Sequence, residues 1–358
     1  MRIKQISVKG LFNTFNYIIP LNLADRITIL HGPNGYGKTI LLNMLDGLFN
    51  NHSATSANES ILLKIPFTEF QVDFDDDNCL LLTKNNGILD TEAFSNQETF
   101  QQTIPVHILD TQRLQTVSDN REQTQTIGRV SQHAQHLVNT IQSKLVESTR
   151  LSQALDRTFP CRLIERNSSS ISLKELRDRL EALEKQRSQL RAAGILEEDG
   201  NAFLVPSQIE EETKSALQIY LEDAEQKLGV FTELTGKIEL FKEIINKRFL
   251  YKQMTVNQEQ GFVFTNAHGD TLALTDLSLG EQHELVMLYE LLFKVQPHSL
   301  VLIDEPEISL HVVWEMGFLE DLQKIMQLVL IDLLITTHSP GIISDRWDLT
   351  VELKERKT

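Results

Sequence analysis

Apolar and polar positions interleave over residues 2–9, where Ile3, Ile6 and Val8 are separated by Arg2, Lys4 and Lys9, and this short period predicts a strand. A second strand is expected at 17–21. Ile27-Thr28-Ile29-Leu30 is a compact β-rich run that stops at a glycine-rich stretch, and beyond it Leu41, Leu42, Leu45 and Leu48 recur at helical spacing. The order there is strand, glycine loop, helix. Residues 50–60 are small and polar and read as a loop, after which strands resume at 69–74, 80–83 and 104–109.

From 131 to 159 the period lengthens to that of a helix. Residues 172–193 carry Leu173, Leu176, Leu180, Leu183 and Leu190 at three- and four-residue spacing, and a second such face follows at Leu217, Leu221, Ala224 and Leu228. Residues 194–206 between them read as the turn of an antiparallel helical hairpin. Each arm is about 20 residues, or ~30 Å of helix, and Arg187 interrupts the apolar seam. The hairpin is expected either to pack on the rest of the chain or to project as an arm for a partner. Strand patterns return at Phe262 and Phe264 and at Leu272 and Leu274, and 299–303 and 333–337 are continuous apolar runs of the kind buried in a parallel sheet. The expected organisation is one head made by both ends of the chain, residues 1–130 and 260–358, split by a helical insertion at 131–259 whose hairpin covers about 172–228.

Gly32-Pro33-Asn34-Gly35-Tyr36-Gly37-Lys38-Thr39 fits GxxxxGK[ST] in the strand–loop–helix context that a phosphate loop requires. Backbone N–H groups of Asn34, Gly35, Tyr36 and Gly37 would curl round a β-phosphate, Lys38 would reach the β- and γ-phosphates, and the Thr39 hydroxyl would hold Mg²⁺. Leu300-Val301-Leu302-Ile303 delivers Asp304 and Glu305 to the C-terminal edge of a buried strand, where ligands of α/β sheets collect. Asp304 is expected to hold Mg²⁺ or its water, and Glu305 to orient and deprotonate an attacking water. His338 follows the run 333–337 and is placed at the same edge as a γ-phosphate contact, while Gln112, just past 104–109, is a candidate contact to Mg²⁺ or the water. Leu277-Ser278-Leu279-Gly280-Glu281-Gln282 opens an apolar helix, so Ser278, Gly280 and Glu281 lie at a positive helix end suited to phosphate. Lys38 and Thr39 already serve the chain's own nucleotide, so this end is expected to cap the nucleotide of a second subunit.

Composition narrows the class without changing this reading. The 358 residues are 41% apolar and 23% charged, as in ordinary soluble globular proteins, and no apolar run approaches the length of a membrane span. The first residues lack the apolar core of a signal peptide, and a cytoplasmic location is the expectation. Cys79 and Cys161 form no CxxC pair, so neither a disulfide framework nor a zinc cluster is indicated, and both are expected to be buried. A formal charge of −16 argues against coating nucleic acid through the overall field.

Taken together, these motifs resemble an ABC-type ATPase head of the SMC and RecF kind, and closer still the compact bacterial ATPases related to the OLD family and to PtuA of the Septu anti-phage system. The resemblance covers about residues 1–130 and 260–353. It implies an α/β fold, an ABC-type P-loop head with a mixed sheet, flanking helices and an antiparallel β subdomain, carrying a helical-hairpin insertion. It makes residues 32–39 the Walker A motif, Gln112 the Q-loop, 277–282 the signature, Asp304 and Glu305 Walker B, and His338 the switch histidine. The run Asp304-Glu305-Pro306-Glu307-Ile308-Ser309-Leu310-His311 is characteristic of the OLD-like branch, in which Ser309 to His311 would lie near a dimer interface. Leu279 replaces the glycine usual at the third signature position, and Val312 stands where the branch usually has proline. No cysteine pair marks the hairpin apex, and the chain ends about 20 residues after His338, short of the TOPRIM nuclease domain that OLD enzymes carry.

The resemblance implies an ATPase using ATP and Mg²⁺. Its heads would pair as a homodimer or higher oligomer over two nucleotides, gating a separately encoded effector such as a nuclease in anti-phage defence. A DNA-gripping ATPase of the repair type is the first alternative, for which Lys237, Lys242, Lys247, Arg248 and Lys252 offer a basic stretch. A nucleotide-stabilised scaffold that hydrolyses slowly is the second, and a transporter's ATPase subunit is a third, disfavoured by the run after Glu305 and by Leu279.

Overall fold

The computed structural model describes residues 1–50, 59–85, 88–90, 104–109, 128–165, 171–197, 211–310 and 312–354. The chain starts with β1 (Ile3–Leu11), β2 (Phe15–Pro20), β3 (Ile27–His31), α1 (Lys38–Phe49), α2 (Glu59–Lys64), β4 (Glu69–Phe74), β5 (Cys79–Asn85), β6 (Ile88–Asp90) and β7 (Val106–Leu109). It continues through α3 (Arg129–Glu165), α4 (Leu173–Ala192), α5 (Glu211–Gly229), α6 (Thr232–Arg248), β8 (Lys252–Asn257), β9 (Gly261–Asn266) and β10 (Thr271–Leu272). The last part holds α7 (Leu279–Tyr289), β11 (Leu300–Asp304), α8 (Val312–Glu315), α9 (Phe318–Leu328), β12 (Asp332–Thr337), α10 (Pro340–Ile343) and β13 (Thr350–Glu352). Two compact units result, residues 1–115 with 279–358, and residues 116–278.

In the first unit the continuous apolar runs become the middle of a parallel sheet, ordered β13-β3-β12-β11-β7. All five residues of β11 are buried, because both faces of a parallel sheet are covered and no position can face water. Ile303 pairs with Ile335 and with Leu109, and Thr337 pairs with His31, so β3, β7, β11 and β12 all end at one edge. The second sheet, β2-β1-β4-β5-β6, is antiparallel, and alternate residues of β4 are buried as period two demands. Leu41, Leu45 and Leu48 of α1 share one core with Val8 and Phe70 of this sheet and with Leu302 and Leu334 of the parallel one. That packing fixes α1 between the two sheets and so fixes the loop that starts it.

Arg2 joins the sheets directly. Its guanidinium donates to both carboxylate oxygens of Asp332, at 2.8 and 2.6 Å, and to Leu23 O at 2.9 Å. Asp332 holds the Arg2 guanidinium above its ordinary pKa. Arg2→Ala strands a half-buried carboxylate at the start of β12, and we expect a loss of about 1–3 kcal/mol in urea unfolding with an unchanged m-value. A midpoint equal to that of the parent chain removes this account.

The second unit combines α3 to α6 with the antiparallel sheet β10-β9-β8. Arg179 pairs with Glu225 while the later Arg187 meets the earlier Tyr220, so α4 and α5 run antiparallel, and Leu176, Leu180, Leu183 and Leu190 fill the seam. Arg187 is accommodated there by Tyr220 Oη at 2.9 Å and Glu184 Oε1 at 2.6 Å. The C-terminal end of α4 is docked rather than free: Lys242 Nζ donates to Ala192 O and Gln258 Nε2 to Ile195 O. At the turn Gly194 takes φ 74°, and a Cβ there would lie 1.8 Å from Val256 O. The strands around Phe262 and Phe264 belong to this unit, not to the head, because α3 and α6 pack against β9 and β8.

Two local expectations change. The helix expected over 131–159 runs on through Pro160 to Glu165. The turn beyond the proline is tied down by Arg162, which donates to both oxygens of Asp223 (2.6 and 2.8 Å) and to Leu155 O at 2.9 Å. Cys79 and Cys161 are both exposed, one at the start of β5 after a polar turn and the other on the outer side of α3. Among the described residues no helix is long and apolar enough to cross a membrane.

Candidate nucleotide site

β3 ends at His31, and the chain turns through Gly35 (φ 84°) and Gly37 (φ 81°) into α1. Gly37 is required twice over: its left-handed backbone starts the helix, and a Cβ there would approach Leu11 Cδ2 to 3.1 Å. No side chain caps α1, and its first turn holds no acidic residue. Its leading N–H groups and positive dipole end are thus left for an anion.

Lys38 lies over this loop. Its ammonium donates to Gly32 O at 2.9 Å and Pro33 O at 3.2 Å, and stands 3.4 Å from His338 Nδ1. Burial pushes the Lys38 pKa down, against the opposing pull of Glu305, Asp304 and Glu307. Thr39 Oγ1 donates to Asp304 Oδ1 at 3.1 Å, and the same oxygen accepts from Thr336 Oγ1 at 2.6 Å. Asp304 is thereby held from the first turn of α1 and from the end of β12.

Glu305 leaves the sheet in a left-handed conformation, φ 41° and ψ 62°, with Pro306 next. Such a backbone costs about 1–3 kcal/mol for a non-glycine residue, and here it is secured by the Glu305 N–H donating to Thr336 O at 3.0 Å. The turn re-aims the carboxylate, and Glu305 Oε1 sits 3.2 Å from His338 Nε2. His338 accepts the Lys38 contact through Nδ1 and donates from Nε2, the tautomer those two partners select. Phe12, Asn34, Gly35, Gly37, Lys38, Thr39, Ile40, Glu305 and His338 line a cavity of about 290 Å³.

The sequence-predicted residues therefore divide. Asn34, Gly35, Gly37, Lys38, Thr39, Asp304, Glu305 and His338 meet at one sheet edge. Tyr36 contributes its carbonyl to Tyr17 Oη at 3.1 Å, while its ring packs on Phe15, so it does not line the cavity. Ser278, Gly280 and Glu281 do not line it either: Ser278 and Leu279 are exposed at the start of α7, and Glu281 is buried. Gln112 and His311 lie outside the described residues. Sequence reasoning does not reach Phe12, Thr336 and Glu307: a lone phenylalanine in a hairpin turn and a threonine in an apolar strand carry no motif, and the spacing of Glu307 in the run from Asp304 marks no role for it.

A phosphate loop, two acidic residues at the end of β11 and a histidine just past the end of the neighbouring β12 define a P-loop nucleotide-binding ATPase head. The chain belongs to the AAA ATPase domain family, whose model matches residues 1–343. No curated protein matches it. Similar solved structures include the Smc head domain of Pyrococcus furiosus with an extended coiled coil bound to the C-terminal domain of ScpA. That one has 14% identity and a TM-score of 0.44, and the match covers 99% of this chain and 94% of that one. Others are an Smc head bound to the C-winged-helix domain of ScpA (12%, 0.46, 96% and 92%) and the SMC head domain of Thermotoga maritima (11%, 0.39, 96% and 91%).

Proposed function

We propose that the chain binds ATP with Mg²⁺ and hydrolyses it, two copies closing head to head over two nucleotides. The observation that carries this reading is the meeting of Lys38, Thr39, Glu305 and His338 around one cavity at an uncapped helix start. The donor set fits Mg²⁺: Thr39 and Asp304 offer hard oxygens 3.1 Å apart, and among the described residues no group of three His, Cys, Asp or Glu forms a fuller metal cage. Bound there, Mg²⁺ would neutralise charge on the phosphate oxygens.

The chain's residues do the rest. Lys38 and the N–H groups at the start of α1 hold the β- and γ-phosphates in line. Glu305 takes a proton from water as the water oxygen bonds to the γ-phosphorus and the bond to the β–γ bridging oxygen breaks, giving ADP and phosphate. His338 orients Glu305 through Nε2 and turns the same N–H toward the γ-phosphate when one is present.

Pairing is supported by the exposed start of α7, which serves no role in its own cavity. Lys38→Ala and Ser278→Arg are each expected to lose phosphate release by roughly tenfold or more. An equal mixture is expected to recover about a quarter of the parent rate, because about half of the pairs are mixed and each mixed pair holds one intact site of two. A mixture no faster than its components removes the pair. In our reading the unit of residues 1–115 and 279–358 works as the head, and closure gates a separately encoded effector such as a nuclease in anti-phage defence, motivated by the OLD-like run that starts at Asp304. The DNA-gripping alternative is compatible with this fold, although three of its five basic residues are engaged within the chain: Lys237 pairs with Glu233 at 2.6 Å, Lys242 binds Ala192 O and Arg248 is buried.

A further inference from the structure

Glu307, in the short turn after Glu305, has no part in the roles above. Its Oε1 accepts three hydrogen bonds, from Thr337 Oγ1 at 2.8 Å, from the His338 N–H at 2.6 Å and from the Ser339 N–H at 3.3 Å. Its Oε2 is buried and has no hydrogen-bond partner among the described residues. Further along the same segment, Glu315 bonds the Ser339 hydroxyl, and a Cβ on Gly341 would stand 2.7 Å from the same Glu315 oxygen. Two carboxylates of the segment after Walker B thus grip the residues that carry His338.

The grip falls where the sheet stops helping. β12 pairs with β3 only as far as Thr337 opposite His31, so the N–H groups of His338 and Ser339 leave the ladder. A carboxylate oxygen that collects both of them, with the Thr337 hydroxyl, sets the backbone from which the imidazole reaches Glu305 and Lys38. Burying the other oxygen without a donor opposes the fold, so this carboxylate is not explained by stability alone.

We propose that Glu307 is the positioning residue of His338: it fixes the histidine's backbone so that Nε2 meets Glu305 and Nδ1 meets Lys38. The proposal rests on the ATPase reading for its effect on rate and on geometry alone for its effect on the histidine. Glu307→Ala is expected to lower kcat roughly 10- to 100-fold, with KM for ATP changed less than about threefold, because a misplaced group costs rate more than binding. The double variant with His338→Ala is expected to be no slower than His338→Ala alone, within about threefold, since residues acting as a unit are not additive. Glu307→Gln keeps an accepting oxygen and is expected to recover kcat to within about threefold of the parent.

The readout independent of turnover is the ¹³Cε1-histidine spectrum of the nucleotide-free chain, with the His338 signal assigned by its loss in His338→Gln. One sharp His338 signal in the parent and in Glu307→Gln, broadened or shifted in Glu307→Ala, supports the proposal. An unchanged signal in Glu307→Ala, a kcat within twofold of the parent, or losses that multiply in the double variant overturns it. A parent chain that hydrolyses no ATP sinks the ATPase reading, while the spectrum still decides for or against Glu307.

Discussion

Glu305→Gln is expected to lower kcat for ATP hydrolysis by roughly 10²- to 10⁴-fold while leaving ATP affinity within a few-fold of the parent. The variant keeps an oxygen for His338 Nε2, now 3.2 Å away, and keeps the shape of the left-handed turn held by Thr336 O. It removes the base that takes the proton from water. In the proposed reading ATP and Mg²⁺ are held through Lys38, Thr39 and Asp304, which the change does not touch. The substitution therefore separates binding from chemistry, and it extends to assembly: a pair that closes over ATP and cannot hydrolyse it has lost its route to reopening. With saturating ATP and Mg²⁺, size-exclusion chromatography with light scattering should find the variant as a dimer or larger. A variant that turns over at the parent rate refutes the role of Glu305, and one that stays monomeric refutes the gating pair.

What the sequence disclosed and what it concealed follow from range. The phosphate loop was legible because its chemistry is local: Gly37, Lys38 and Thr39 adjoin, and the flanking strand and helix announce themselves by period. The strands under Asp304 and His338 were legible for a related reason, since burial on both faces of β11 and β12 leaves unbroken apolar runs. Glu307 was not, because its three donors lie some thirty positions away and only the register of β11 on β12 brings them near. The same holds for Arg2, whose partner Asp332 is at the far end of the chain, and for Arg162, whose grip on Asp223 carries α3 through Pro160. The two cysteines show a converse limit: burial preference is an average over residue types, and a position beside a polar turn or on the outer side of a helix overrides it.

Lys38→Met is expected to weaken ATP binding by roughly 100-fold or more, about 2.7 kcal/mol, and at the same time to leave the nucleotide-free chain at least as stable as the parent. The two effects have one cause. The ammonium is buried against the loop carbonyls of Gly32 and Pro33, and this burial pushes its pKa down, the neighbouring carboxylates compensating only in part. A lysine whose folded pKa lies below its unfolded one disfavours the folded state while both states are protonated. Stability rises with pH as the folded chain sheds its proton while the unfolded chain still holds it. At neutral pH the parent therefore carries that cost, and methionine, of similar length and uncharged, removes it. ATP reverses the order, because phosphate contacts available only to the folded parent stabilise it by about 2.7 kcal/mol at a ligand concentration 100 times Kd. Thermal unfolding with and without ATP and Mg²⁺ should thus cross: the variant melts at or above the parent without nucleotide and well below it with nucleotide. A variant that still gains stability from ATP as the parent does would mean that Lys38 is not a phosphate ligand, whereas one that melts below the parent without nucleotide would mean that its bonds to Gly32 and Pro33 outweigh its burial.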